Sequence, residues 1–191
     1  MKRFIYIRST HDMTEIQNEM DALFSSLVDV FDMVHEKCST LYIYQGFYDL
    51  DFEEITMNML SDTLYDLVLY QSFQFEDMKE LLSHVDFVKT YLEFVPKKMG
   101  SFINHQKLLK SNLNLPKQLL SEQFLRKYAK DHMMLDTLYI YFENNQNMSK
   151  AAKELYIHRN TLIQRLDKFL QETGFDVRKF QDAVIIYQLI S

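Results

Sequence analysis

Residues 147–166 read NMSKAAKELYIHRNTLIQRL and decide the fold of the second half of this 191-residue chain. Asn147 is suited to begin a helix from Met148 to Leu155, because its side chain can accept hydrogen bonds from the unpaired N–H groups of the first helical turn. Ala151 and Ala152 are small enough for a second helix to cross this helix closely. The stretch therefore predicts the first of two crossing helices.

The second helix is predicted from about Asn160 to Glu172. It follows a short link that contains the apolar residue Ile157, and Gly174 ends it, because glycine readily adopts the left-handed conformation of a helix C-cap. At about 100° per residue, this helix has an apolar side and a polar, cationic side. The predicted buried residues are Leu162, Leu166, Phe169 and Thr173, and the predicted outer residues are Asn160, Thr161, Gln164, Arg165 and Lys168.

Two short helices with a tight link and a polar outer face are typical of a helix-turn-helix that binds DNA. Arginine forms paired hydrogen bonds with guanine, asparagine or glutamine does so with adenine, and threonine contacts thymine. Side chains near the helix starts are expected to bind phosphates, which fix register without reading sequence. The predicted DNA-binding residues are Ser149, Lys150, His158, Arg159, Asn160, Thr161, Gln164, Arg165 and Lys168. The alternative for them is an ordinary solvated helix face.

The pattern AAxxLxIHRNTLxxRL at residues 151–166, together with DTL at residues 136–138 and TGFD at residues 173–176, fixes many positions at once. It resembles the C-terminal helix-turn-helix of the PucR/CdaR family of bacterial transcriptional regulators, a module that is similar to the DNA-binding end of Fis. The resemblance covers roughly the last third of the chain. It implies a dimer that places the helix from about Asn160 to Leu170 in the major groove.

The chain departs from the family pattern in two places. Gln164 stands where many members have tyrosine, so this side chain is expected to contact its surroundings differently. Family members tend to be longer, with a sensor domain ahead of a central domain that resembles degenerate GGDEF cyclases. Residues 1–95 are compatible with that central domain, but no GG[DE]EF motif occurs and Gly46 is the region's one glycine. Synthesis of a cyclic dinucleotide is therefore not expected.

The first half alternates short apolar runs with helical periodicity, which predicts an α+β or α/β domain whose sheet is covered by helices. An all-α helix-turn-helix domain is predicted to follow it. The predicted strands are Phe4–Ile7, Leu41–Tyr44 and Asp66–Phe75, and the predicted helices are Met13–His35, Phe52–Leu64 and Glu76–Phe94.

Charge changes sign near Pro96 and Gly100, which places a domain boundary there. Residues 1–96 hold 6 basic and 18 acidic side chains, whereas residues 97–130 hold 8 basic side chains and one acidic side chain. We predict an α/β dimerisation or sensing domain (residues 1–96), a basic helical connector (97–130, with a helix from Pro116 to Ala129) and a helix-turn-helix domain (131–191). The basic segment either extends the contact with DNA or pairs with the acidic first half.

Composition argues against several other classes of protein. Three glycines are too few for the phosphate-binding loops of nucleotide-binding enzymes. We find no paired nucleophile and base, and His35, Glu36 and Cys38 lack the further ligands of a closed metal site. We therefore expect no enzyme, no catalytic residues, no metal and no cofactor. The chain shows no leader and no apolar span, so we expect a cytoplasmic protein without a membrane partner.

Together these observations predict a sequence-specific DNA-binding regulator of transcription. Its expected partners are double-stranded DNA, a second copy of the chain in a homodimer, and an unknown small-molecule effector. The alternative is a protein-interaction or ligand-sensing module with a vestigial helix-turn-helix. The net charge of -6 favours this alternative, because overall acidity weakens non-specific attraction to DNA.

Overall fold

The computed structural model describes residues 1–46, 52–63 and 66–191. The chain forms two compact units, Met1–Ser111 and Asn112–Ser191. The first unit is a sheet with helices, and the regular elements of the second unit are all helical. The predicted order, an α+β part followed by an all-α part, is therefore confirmed.

The described residues of the first unit form a five-stranded mixed sheet. Its spatial order is β2-β3-β1-β4-β5, and every neighbouring pair is antiparallel except the parallel pair β4 and β5. The strands are β1 (Lys2–Arg8), β2 (Asp29–Glu36), β3 (Ser39–Gln45), β4 (Val68–Gln71) and β5 (Phe102–Ile103).

Strand β1 is central, and its side chains face two separate layers of helices. Ile5 and Ile7 belong to a buried cluster that also contains residues of α1 (Gln17–Leu27) and α2 (Phe52–Thr63). On the other face, the Phe4 ring lies 5.6 Å from the Tyr70 ring and 5.9 Å from His84 on α3 (Met78–Tyr91). A continuous apolar run without alternation is what a strand covered on both faces requires.

The predicted helix Met13–His35 is wrong in its second half. Helix α1 ends at Leu27, and residues 29–36 form β2, which pairs with β3 through a two-residue turn at residues 37 and 38. Almost every residue of β2 is exposed, so neither face supplies the apolar alternation that marks a strand. Pairing with β3 determines this edge strand.

The first unit continues beyond residue 96. Strand β5 pairs with β4, and α4 (His105–Ser111) follows within the same unit. The segment 97–130, predicted as a helical connector, therefore contains a strand. The predicted strand Asp66–Phe75 is shorter, because ladder pairing stops at Gln71 and Phe75 forms only an isolated bridge with Lys2. Helix α2 matches its prediction, except that the expected last residue, Leu64, lies outside the described residues.

The second unit contains α5 (Lys117–Leu120), α6 (His132–Glu143), α7 (Met148–Glu154), α8 (Arg159–Thr173) and α9 (Phe180–Ile190). Pro116 precedes α5 as expected, but the predicted helix to Ala129 is not continuous. A π-type turn at Ser121–Leu125 and a 3₁₀ turn at Arg126–Lys130 replace it, and Arg126 has a positive φ of 56°. Within the described ranges, no helix is both long and apolar enough to cross a bilayer.

Candidate nucleic-acid interface

Helix α7 begins as the sequence predicts. The Asn147 side-chain oxygen accepts hydrogen bonds of 3.1 Å from the backbone N–H groups of Ser149 and Lys150. Ala151 and Ala152 are buried, and α7 packs against α8. Larger side chains at these two positions would separate the helices, so the small residues set the distance at which α7 and α8 cross.

The turn between α7 and α8 places one aromatic side chain almost wholly in solvent. Tyr156 is 96% exposed and has a left-handed φ of 55°. The next residue, Ile157, donates its N–H to the Ala152 carbonyl at 3.0 Å, which closes the turn onto α7. His158 then caps α8, because its Nδ1 accepts a 3.1 Å hydrogen bond from the Asn160 N–H.

Helix α8 ends at Gly174, as the sequence predicts. Gly174 has a φ of 77°, and its N–H donates a 2.8 Å hydrogen bond to the Leu170 carbonyl. The four residues predicted for the inner side are all buried: Leu162, Leu166, Phe169 and Thr173. The register of α8 in the second unit is therefore the one that its apolar spacing predicts.

The opposite side of α8 carries an exposed polar stripe formed by Asn160, Gln164 and Lys168. These residues recur at every fourth position, so they lie along one line of the helix surface. Other exposed members of the predicted set lie on α7, at the cap and in the first turn of α8: Ser149, Lys150, His158 and Arg159. Thr161 is half-buried. Seven of the nine predicted residues are thus accessible on α7, the turn and the outer side of α8.

Arg165 does not belong to the exposed stripe. Its guanidinium Nη1 donates a 2.8 Å hydrogen bond to the Thr137 hydroxyl on α6, and the Arg165 side chain is only half-exposed. Thr137 is fully buried. The helical-wheel prediction that Arg165 lies on the outer face is therefore corrected: the side chain bends back and joins α8 to α6.

The basic segment 97–130 makes contacts of two kinds. In the second unit, Arg126 donates a 2.9 Å hydrogen bond to the carbonyl of Glu172, and Lys127 pairs with the Glu172 carboxylate near the end of α8. In the first unit, Lys107 lies 3.3 Å from the Glu53 carboxylate. Lys107 therefore pairs with the acidic first half, as one of the two alternatives for the basic segment expects, whereas Arg126 and Lys127 contact Glu172 of α8.

Arg178 links the middle of α8 to the loop that follows the helix. Its guanidinium donates hydrogen bonds of 2.7 Å to Asp167 and 2.6 Å to Asp176. Burial works against the ionised form of Asp176, but the hydrogen bonds from Arg178 outweigh it and hold the Asp176 pKa below its usual range. The aspartate of the TGFD motif therefore has a structural role.

Sequence reasoning missed the structural roles of three residues that shape this surface: Tyr156, Thr137 and Arg178. Nothing in the sequence indicates that Tyr156 adopts a positive φ and is almost fully exposed. The buried hydroxyl of Thr137 and the two-sided contact of Arg178 depend on packing between elements that are distant in sequence.

Two helices joined by a tight turn, with an apolar inner side and a polar outer side on the second helix, define this unit as a helix-turn-helix. Comparison agrees, since residues 134–188 match the PucR C-terminal helix-turn-helix domain. The resemblance of this domain to the PucR/CdaR family, found in the sequence, is thereby confirmed.

Three relatives show how far the similarity extends. The uncharacterized protein YxkF of Bacillus subtilis (strain 168) is 26% identical over 144 residues, which is 72% of this chain and 48% of YxkF. The purine catabolism regulatory protein of the same bacterium is 43% identical over 60 residues, 31% of this chain and 10% of that protein. The carbohydrate diacid regulator of Escherichia coli (strain K12) is 33% identical over 63 residues, 33% of this chain and 16% of that protein. The chain thus spans about half of the first relative's length and smaller parts of the other two.

Proposed function

We propose that this chain is a sequence-specific DNA-binding regulator of transcription, which acts as a homodimer with α8 in the major groove. The exposed stripe of Asn160, Gln164 and Lys168 carries the proposal, because it lies on a helix whose other side is anchored by buried residues. The regulator names of two relatives support the same reading for the whole protein. The GGDEF-like character of residues 1–95 stays a prediction.

Base reading requires side chains with both donors and acceptors at a fixed position. Asn160 and Gln164 have amide groups that suit adenine, and both extend from a helix that packing holds in place. Thr161, beside them in the first turns of α8, offers a hydroxyl and a methyl group for thymine. A rigid helix is needed because a wrong base is rejected only when the reading group cannot move to a new partner.

Phosphate contacts supply affinity in this proposal. Lys150 on α7, Arg159 at the start of α8 and Lys168 farther along α8 are exposed cations on the same helix pair. Ser149 and the exposed edge of His158 add hydrogen-bonding groups beside them. Arg165 has a positioning role, because its hydrogen bond to Thr137 orients α8 against α6.

Two copies are needed because a single helix reads only a few base pairs. Pairing two half-sites about one helical turn apart roughly squares the specificity. The first unit is assigned to dimerisation or sensing, as its sequence predicts. The operator is accordingly expected to be approximately two-fold symmetric.

The test is selection of bound sequences from a random DNA library by the purified chain, with its mass measured in solution. The expected result is an enriched, two-fold symmetric site bound by a dimer. Gln164→Ala should lose about 1–3 kcal/mol of discrimination at one base position in each half-site. Glu122→Ala, a substitution outside the helix-turn-helix, is the control. Flat enrichment, or a Gln164→Ala variant with unchanged base preference, would contradict the proposal.

A further inference from the structure

A cavity of ≈ 270 Å³ lies at one end of the sheet in the first unit. Its apolar wall contains Leu67, Leu92 and Ile103, which are buried in the fold. Polar side chains surround this wall, chiefly Arg8, Glu93, Lys97 and Ser101. An apolar wall with a few polar groups is the usual construction of a site for a small organic molecule.

One of the two acidic members of the wall, Asp66, is held by hydrogen bonds within the protein. Its carboxylate accepts from the Ser9 hydroxyl at 2.8 Å, from the Thr10 N–H at 3.2 Å and from the Thr10 hydroxyl. His11 Nδ1 lies 3.2 Å from the same carboxylate. Asp66 is therefore a structural part of the cavity wall, held by the segment of residues 9–11.

The cationic side chains of the wall have N–H donors that are not used within the described part of the protein. In the part of the chain that the structure describes, neither the Lys97 ammonium nor the Ser101 hydroxyl has a hydrogen-bond or ion-pair partner. Arg8 reaches Glu93 at 3.5 Å, which is the long limit of a hydrogen bond. An arginine has five N–H donors, so most of those on Arg8 remain for another acceptor. The second carboxylate of the wall, Glu93, is itself paired with Arg8. The donors that remain open on Lys97, Ser101 and Arg8 favour an anionic ligand.

Gly100 lies in the cavity wall beside Lys97 and Ser101. Its φ of 85° with an extended ψ of -178° is a conformation that is essentially restricted to glycine. A Cβ atom built at this position would meet no heavy atom within 4 Å. Residue 100 therefore borders open space, and a ligand can approach the backbone there.

We propose that this cavity binds a small organic acid. The carboxylate lies between Arg8 and Lys97 with Ser101 as a further donor, and an apolar body packs against Val68 and Val95, the partly exposed apolar residues of the wall. Two cations on a carboxylate give charge-assisted hydrogen bonds, which are about twice as strong as neutral ones. The site is independent of the helix-turn-helix, so it gives the first unit a sensing role whether or not the chain binds DNA.

Benzoate is the probe. Its binding to the full chain at pH 7 is measured by calorimetric titration, and its effect on stability is measured by thermal unfolding. The expected result is saturable binding of benzoate that raises the melting temperature. Benzamide has the same ring without the charge, and acetate has the charge without the ring, so both should bind at least about tenfold more weakly. Lys97→Gln should weaken benzoate at least about tenfold as well. Lys98→Gln, the neighbouring lysine outside the cavity wall, should leave benzoate binding unchanged.

Three results would overturn the proposal: no saturable benzoate binding, equal binding of benzamide, or unchanged binding in Lys97→Gln. Because Lys97 is exposed, its substitution does not threaten folding. Ser101→Ala provides a second, smaller change and should weaken benzoate about two- to tenfold by removal of one donor. None of these measurements involves DNA, so their failure leaves the proposed regulator function standing.

Discussion

The guanidinium of Arg165 donates a hydrogen bond to the hydroxyl of Thr137 at 2.8 Å, and the same hydroxyl donates to the Met133 carbonyl at 2.7 Å. Thr137 is fully buried on α6, whereas Arg165 lies on the flank of α8. This chain of hydrogen bonds joins the backbone of α6 to a side chain of α8. The rotation of the second motif helix about its own axis is therefore set partly by α6.

Replacing Arg165 by alanine should destabilise the second unit by about 1–3 kcal/mol, because the variant leaves the buried Thr137 oxygen without its donor. The measurement is urea unfolding of the wild-type chain and the variant. Gln164→Ala, one residue away on the exposed stripe, should change stability by less than about 0.5 kcal/mol. A double-mutant cycle with Thr137→Val should give a coupling energy above about 0.5 kcal/mol. Independent effects of the two substitutions would show that the hydrogen bond does not stabilise the fold.

Replacing Lys150 by alanine should weaken binding to specific and unrelated DNA by a similar factor, because a phosphate contact carries no sequence information. The slope of log affinity against log salt concentration should fall by about 1. Lys179→Ala is the control, since Lys179 is an exposed cation at the start of α9, outside α7, the turn and α8. An unchanged slope for Lys150→Ala, or an equal loss for Lys179→Ala, would remove Lys150 from the interface.

Replacing Tyr156 by glycine should raise the free energy of unfolding by about 0.5–1 kcal/mol. A left-handed φ costs a residue with a Cβ about 1–2 kcal/mol, and glycine escapes this cost while losing more backbone entropy on folding. The tyrosine side chain is 96% exposed, so little packing is lost. Tyr156→Ala keeps the Cβ and should show no such gain. Equal stability of the glycine and alanine variants in thermal or urea unfolding would contradict the strain argument.

Lowering the pH should reduce the stability of the first unit by protonating Asp66. Burial raises the pKa of this carboxyl, but hydrogen bonds from Thr10, Ser9 and His11 outweigh burial and hold the folded-state pKa well below its ordinary value of 3.8. A lowered folded-state pKa stabilises the fold above the unfolded-state pKa, and this stabilisation is lost as the pH falls from about 5 towards 2. Asp66→Asn should be less stable at pH 7, by no more than about 1 kcal/mol because the side chain is partly exposed.

The check is the unfolding free energy of both proteins between pH 7 and pH 2. The difference between wild type and Asp66→Asn should shrink as the pH falls. Asp12→Asn is a useful comparison, because Asp12 is an exposed carboxylate in the same segment and lies outside the Asp66 network. If the wild type is more stable than Asp66→Asn by the same amount at every pH, the charge of Asp66 does not stabilise the fold.

The helix-turn-helix could be predicted from the sequence because the residues that determine it act locally. Asn147 and Gly174 act within one helical turn of their own positions, and the spacing of Leu162, Leu166 and Phe169 needs only the geometry of a helix. The cap of α7 and the end and buried side of α8 were therefore predicted correctly. Arg165 was misplaced because a helical wheel gives the direction of a Cβ atom and not the path of a long side chain.

The structure of the first unit was harder to predict because most of its strands pair with strands that are distant in sequence. Strand β2 is exposed on both faces and is specified by its neighbour β3, so its own residues carry no alternation. Strand β5 has two residues and exists through pairing with β4. The cavity is equally hidden, since Arg8, Asp66 and Lys97 come from three separate stretches of sequence.

The position of β1 has a consequence for the order in which the protein forms during synthesis. This strand is central in the sheet, yet the Phe4 N–H binds the Ser72 hydroxyl across a separation of 68 residues. Its apolar residues therefore leave the ribosome long before β4 exists to cover them, and they are open to wrong partners during that interval. In the second unit the helix-turn-helix lies within one short, continuous stretch, so it can fold as soon as it emerges. The first unit is thus the part with the greater need of protection by a chaperone during synthesis.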